Sequence, residues 1–163
     1  MQSYFLTLAR YNQWANLKLY QAVSQLTEEE IQQQRPSFFG SIFSTLNHGL
    51  VGDTAWSARI QGKPSGITAL DQPLAQSFKE LQSLRQTMDK GLISLVESLS
   101  GRDFTAPVRY QSFQGDPLET PLQYCLGHMF NHTTHHRGQV HDQLSWTVVA
   151  PPSMDLIYYL REQ

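Results

Sequence analysis

The sequence predicts an all-α protein built as a four-helix bundle, and three observations carry that prediction. Apolar residues recur three or four apart along four long stretches, the period of a helix with one buried face. Capping residues or Pro and Gly breaks bound each stretch. Residues that favour strands gather in one place only, between Phe104 and Phe113. A chain of 163 residues can bury a single continuous core, so one domain over residues 1–163 is expected.

From Ser3 to Leu26, the residues Phe5, Leu8, Tyr11, Ala15, Leu19, Ala22 and Leu26 follow the helical period and mark the first helix. Thr27 reads as an N-cap with Glu28, Glu29 and Glu30 in a first turn, and Pro36 closes that short piece. The second long helix is expected to start at Ser41, to bury Ile42, Leu46, Leu50 and Ile60, and to stop before Gly62-Lys63-Pro64. A turn-rich connection from Gly62 to Leu70 leads to Asp71, read as the N-cap of a third helix with Pro73 in its first turn. That helix is drawn to about Leu99, with Leu74, Phe78, Leu81, Leu84 or Arg85, Met88, Leu92, Leu95 and Leu99 on its buried stripe. After Ser100-Gly101, the Val, Tyr and Phe content up to Phe113 and the turn residues Gln114-Gly115-Asp116-Pro117 predict a short hairpin or extended excursion. Thr120 as cap and Pro121 as first residue open the fourth helix, which runs to about Leu144. Pro151-Pro152-Ser153 then breaks the chain before a short terminal helix, Asp155 to Leu160. Short connections between these helices are expected, and bundles of this kind build metal sites from facing helices.

Composition excludes several classes of function. A net charge of −2 and a pI near 6.3 provide no basic stripe for phosphates, so nucleic acid is not an expected partner. Cys125 is the only cysteine, which rules out an internal disulfide and fits a cytoplasmic location. The first residues, MQSYFLTLARYNQWANLK, are too polar for a signal-peptide core, and no run of about 18 apolar residues could span a bilayer.

Chemistry concentrates in Leu126–Val140, LGHMFNHTTHHRGQV, which carries His128, His132, His135 and His136. His128, His132 and His136 follow one another at i, i+4 spacing, and two imidazoles one helical turn apart can address one metal ion. With His128 set at 0° on a helical wheel, the apolar stripe centres near about 130°, His136 falls at about 80°, His132 at about 40° and His135 near about −20°. His132 and His136 therefore flank the core and make the better ligand pair, His135 points away, and His128 is intermediate. The competing reading is a helix whose histidines face solvent or bond to carbonyls. A pair alone cannot complete a site, and the only histidine outside the C-terminal third is His48. His48 shares its side of the second helix with the small residues Ser41, Thr45, Gly52 and Ala55, which suits either a close helix contact or an open cleft. Asp53 falls among apolar positions, so it needs a buried partner, for which Arg59 and Arg137 are the candidates. Arg137 is placed between Phe130 and Leu144, where a salt bridge would be structural. Cys125, at about 60° on the same wheel, could approach the pocket, although a small core residue is the simpler reading. Trp14, Trp56, Trp146 and the Tyr158-Tyr159 pair read as core or interface aromatics.

These residues carry a family resemblance. Tyr11-Asn12-Gln13-Trp14-Ala15-Asn16, Leu46-Asn47-His48 with Asp53 and Trp56, the run Asn131-His132-Thr133-Thr134-His135-His136-Arg137-Gly138-Gln139, and the Pro-rich step into Asp155-Leu156-Ile157-Tyr158-Tyr159-Leu160 together resemble the DinB (YfiT-like) family. The resemblance spans nearly the whole chain, and the Asn-His-x-x-His-His-Arg-Gly-Gln run is its most specific part. It implies a bundle with a metal site made by one histidine of the second helix and an H-x-x-x-H pair of the fourth, which fall here on His48, His132 and His136. It also implies a divalent metal, zinc or nickel first and iron or manganese next, a low-molecular-weight thiol as cosubstrate, and a homodimer.

Three neutral imidazoles leave at least one coordination position open, the arrangement of a catalytic rather than a closed structural site. A hydrolase would want a general base nearby, with His128, His135 and Asp53 as candidates, whereas a thiol transferase would want only a bound thiolate and a pocket. The sequence thus leads to a metal-dependent enzyme acting on a small molecule, by thiol-dependent transfer or hydrolysis. The alternative is a non-catalytic, stress-associated metal-binding bundle that works through dimer contacts.

Overall fold

A computed structural model describes residues 1–163. Four long helices form the bundle: α1 (Gln2–Val23), α3 (Ile42–Gln61), α4 (Phe78–Ser98) and α5 (Leu122–Leu144). Two short helices, α2 (Glu28–Gln32) and α6 (Leu156–Arg161), and one antiparallel hairpin, β1 (Pro107–Gln111) with β2 (Pro117–Pro121), complete it. The all-α bundle with a hairpin excursion between the last two long helices is thus the observed fold. None of the helices is long and apolar enough to cross a membrane.

Local chemistry explains most boundaries. Thr27 accepts from the Glu30 amide while the Glu30 carboxylate takes the Thr27 amide, a reciprocal cap that starts α2. Ser41 caps α3, and Gly62 ends it with φ +66°, a left-handed conformation that costs a side-chain-bearing residue more than glycine. The first helix stops at Val23, earlier than the periodicity suggests, because Gln25 and Leu26 turn back onto the carbonyls of Ala22 and Val23.

Two helix starts differ from the sequence expectation. The fourth element begins at Phe78, capped by Ser77, and not at Asp71. Residues 70–74 are claimed by α3 instead: Asn47 donates through Nδ2 to the Gln72 carbonyl (2.9 Å) and accepts the Leu74 amide (2.9 Å), which holds them outside any helix. Thr120 belongs to β2, paired with Val108, and the last long helix starts one residue later than expected, at Leu122. Its first amides are satisfied by the Ala106 and Phe104 carbonyls, so no capping side chain is needed.

The connections are not all short. α1 packs on α4 and α5, while α3 packs on α5 and α4. The chain therefore crosses the bundle diagonal twice, from α1 to α3 through α2 and from α4 to α5 through the hairpin. Two apolar clusters fill the interior: one around Leu19, Ile42, Leu81 and Leu144, the other around Phe5, Leu92, Leu126 and Met129. Between them lies a polar layer, on which the site stands.

Candidate metal centre

α3 and α5 lie side by side and bring His48, His132 and His136 together, with one potential ligand atom from each all within 4.8 Å of one another. His132 and His136 stand one turn apart, and their Nε2 atoms are 3.1 Å apart. Two nitrogens at that separation can share one ion at bond lengths of about 2.0–2.1 Å. The His48 ring reaches them from across the helix interface, with centroids 4.6 Å from His136 and 5.2 Å from His132. Small residues permit that approach. A Cβ on Gly52 would lie 2.5 Å from Cε1 of His132, and one on Gly49 would lie 3.8 Å from Cβ of His136.

Outer partners fix which nitrogen of each ring faces inward. His48 donates from Nδ1 to the Leu70 carbonyl at 2.7 Å, and His136 donates from Nδ1 to Oε1 of Gln139 at 2.7 Å. Both rings therefore turn a bare Nε2 lone pair towards the centre, the tautomer in which a metal-ligating histidine is held. Nδ1 of His132 is buried without a hydrogen-bond partner. Phe39 stacks on His48 at 4.3 Å and meets His136 edge-on at 5.5 Å, walling one side.

Electrostatics favour neutral imidazoles. Burial, reinforced by the neighbouring histidines, pushes His132 from its ordinary 6.5 down to about 3. Burial likewise carries His136 down to about 4, against the opposing pull of its bond to Gln139. Converging neutral nitrogen donors, two of them oriented from behind, fit a divalent transition metal.

The remaining candidates sort by geometry. His135 is exposed with its centroid 4.9 Å from His136, outside the cluster. His128 is exposed too, 5.7 Å from His132 and 4.8 Å from Trp56. No carboxylate or thiol joins the cluster, so no fourth protein ligand closes it. Cys125 is a core residue, its thiol donating to the Thr120 carbonyl.

Asp53 pairs with neither arginine expected for it. Arg85 of α4 binds its Oδ2 at 2.6 Å, and Thr133, beside His132 in sequence, donates to its Oδ1 at 2.7 Å. Arg59 lies outside this layer, stacked on Trp56 and Tyr110. Arg137 is buried without a salt bridge and donates to the side-chain carbonyls of Asn12 and Asn16. Those two amides donate in turn to Asp89, which lies 2.8 Å from Arg85. A continuous polar layer thus runs from Arg137 through Asn12 and Asn16 to Asp89, Arg85, Asp53 and Thr133, tying all four long helices beneath the histidines. Asp53 is buried, ion-paired and outside the histidine cluster, which removes it from the candidates for a general base.

Residues 1–163 match the DinB family throughout. The chain belongs to the DinB family. It is 26% identical to protein DinB of Bacillus subtilis strain 168 over 166 residues, covering 98% of this chain and 95% of that protein. The crystal structure of a DinB-like protein from Bacillus cereus ATCC 10987 has the same fold, with a TM-score of 0.62 at 20% identity over 86% of this chain and 91% of that one. The residues that carry the DinB resemblance divide the work of this centre. His48, His132 and His136 face inward, Gln139 orients His136, and Asn12, Asn16 and Arg137 build the layer below. Sequence reasoning missed Phe39, the Leu70 carbonyl and the pairing of Arg85 with Asp53. Of these only Arg85 carried a signal, as a charged residue at a position shared with Leu84 on the buried stripe of its helix, while Gly52 was already marked as a small residue suited to a close helix contact. A cavity of about 730 Å³ lies elsewhere, between α3 and α4 along Leu50, Thr54, Thr87 and Met88, and is lined by none of the histidines.

Proposed function

We propose that this DinB-family chain binds one divalent metal, zinc or nickel by preference, through His48, His132 and His136, and acts as a metal-dependent enzyme on a small molecule. The observation that carries this reading is the convergence of three imidazoles whose cluster includes no fourth protein ligand. The metal, when bound, supplies a Lewis acid able to take a thiolate or to lower the pKa of a water towards about 7. Leu70 and Gln139 hold the ligand tautomers, and Phe39 screens one flank from water. Thiol-dependent transfer is favoured over hydrolysis, because Asp53 is buried in an ion pair and the remaining candidate bases, His128 and His135, stand on the exposed rim. The buried free thiol of Cys125 suits a cytoplasmic protein.

Elemental analysis of protein purified without chelator, joined to a screen of low-molecular-weight thiols with small electrophiles, tests the reading. Wild-type and His135→Ala protein should carry one metal per chain; His48→Ala, His132→Ala and His136→Ala should carry none. Equal metal content in all five would sink the assignment.

A second reading is a non-catalytic metal-binding bundle working as a homodimer. Trp146 and Val148, 65% and 93% exposed, favour it as an apolar surface open to a second copy. Bound metal with no turnover in the thiol screen, and a dimer dissociated by Trp146→Ser in sedimentation, would support it over the first.

A further inference from the structure

A recess of about 330 Å³ opens between the C-terminal end of α3 and the hairpin. Its cationic members are Arg59, Lys63 and Arg109, and no Asp or Glu lines it. Arg109 is neutralised by Glu119 at 2.9 Å, whereas Arg59 has no carboxylate within ion-pair distance. The Arg59 guanidinium is instead framed by aromatic rings, 4.7 Å from the centroid of Trp56, 5.0 Å from Tyr110 and 5.2 Å from Phe113. Rings offer no hydrogen-bond acceptor of carboxylate strength, and the one acceptor on the guanidinium is the Gln111 carbonyl, at a long 3.4 Å from Nη2.

A run of neighbouring side chains links Arg59 to the centre. Trp56 touches Arg59 on one side and His128 on the other, and His128 lies next to His132. Along α3, Gly52 backs His132, and Arg59 follows seven residues later, about 10 Å further at a rise of 1.5 Å per residue. A half-buried guanidinium framed by aromatic rings and without a counter-ion is a receptor for a planar monoanion, because its fork matches a carboxylate bidentately.

We propose that the Arg59 recess holds the carboxylate of a small-molecule substrate or thiol cosubstrate whose reacting end lies at the three histidines. This rests on the metal-dependent reading above, and the test separates the two. Cobalt(II)-loaded full-length protein is titrated with ω-mercaptohexanoate and with ω-mercaptohexanol, followed by the visible spectrum of the cobalt. The acid should bind at least about tenfold more tightly than the alcohol. Arg59→Gln should erase that preference while keeping the affinity for the alcohol, and Arg59→Lys should restore part of it. Equal affinities in the wild type, or a preference unchanged in Arg59→Gln, overturns the proposal. If Arg59→Gln does not fold, the wild-type comparison and Arg59→Lys decide. Failure of the wild type to take up cobalt sinks the metal reading, and the recess is then read by NMR with hexanoate on chelator-treated protein. Shifts of the Trp56 indole that vanish in Arg59→Gln and persist in part in Arg59→Lys uphold it; no shift in the wild type, or a shift unchanged in Arg59→Gln, overturns it.

Discussion

The imidazole of His132 packs against Gly52, so near that a β-carbon there would sit 2.5 Å from Cε1 and 2.8 Å from Nδ1. No rotation of a methyl group relieves such a contact, because it is built on the α3 backbone. Gly52→Ala should therefore displace His132 and lower metal affinity by about tenfold or more, an effect the size of losing an orienting partner. Metal-free stability should change less, since alanine recovers up to about 1 kcal/mol of helix propensity in compensation. Metal titration and thermal melting of the same variant separate the two effects, and unchanged affinity would refute the packing argument.

Gln139 acts on the centre without facing it. Its side-chain carbonyl accepts the Nδ1 proton of His136 and so keeps Nε2 bare. Gln139→Leu should weaken metal binding about 10- to 100-fold. Gln139→Glu, which keeps the acceptor, should retain affinity. Competition against a chelator of known strength measures both.

Asp53, Arg85 and Asp89 are each almost fully buried, 1%, 3% and 3% exposed, and Arg85 bridges the two carboxylates. Removing the arginine leaves two buried carboxylates without their cation, so Arg85→Ala should cost about 3–5 kcal/mol in denaturant unfolding, and Asp53→Ala, which leaves Arg85 paired with Asp89, should cost less. The double variant should cost less than the two losses added together, because the Asp53–Arg85 contact is lost once and not twice, while Asp89 still lacks its cation.

Acid should destabilise the chelator-treated protein before its carboxylates titrate. His132 and His136 fall from 6.5 to about 3 and about 4 in the folded chain, mainly through burial. Between those values and 6.5 the unfolded chain binds the extra protons, so stability is complete above about pH 6.5 and is lost as pH falls towards about 4. Melting curves across that range should show the decline, and a doubly substituted His132→Asn, His136→Gln protein should show a shallower one. An identical decline in both would assign the effect elsewhere.

Much of this was legible before any coordinates. Periodicity located the four long helices because each buries one stripe, and Thr27 and Ser41 announced their caps because capping is local. The wheel separated His132 and His136 from His135 by angle alone. Asp71 misled because a residue that caps well in isolation was overruled by Asn47, which binds the strand-like segment from a different helix. The partner of Asp53 was out of reach for the same reason: Arg85 stands 32 positions away, and no local pattern connects them.

By itself the sequence determined the helices, their buried faces and the ligand-capable pair on α5, since each depends on residues within a few turns of one another. Only the tertiary structure decided that α1 and α3 stand diagonally opposed, that His48 meets the pair across Gly49 and Gly52, and that Arg59 is left with aromatic faces in place of a carboxylate. Those outcomes come from which helices pack together, and packing is settled by the whole set of buried surfaces at once.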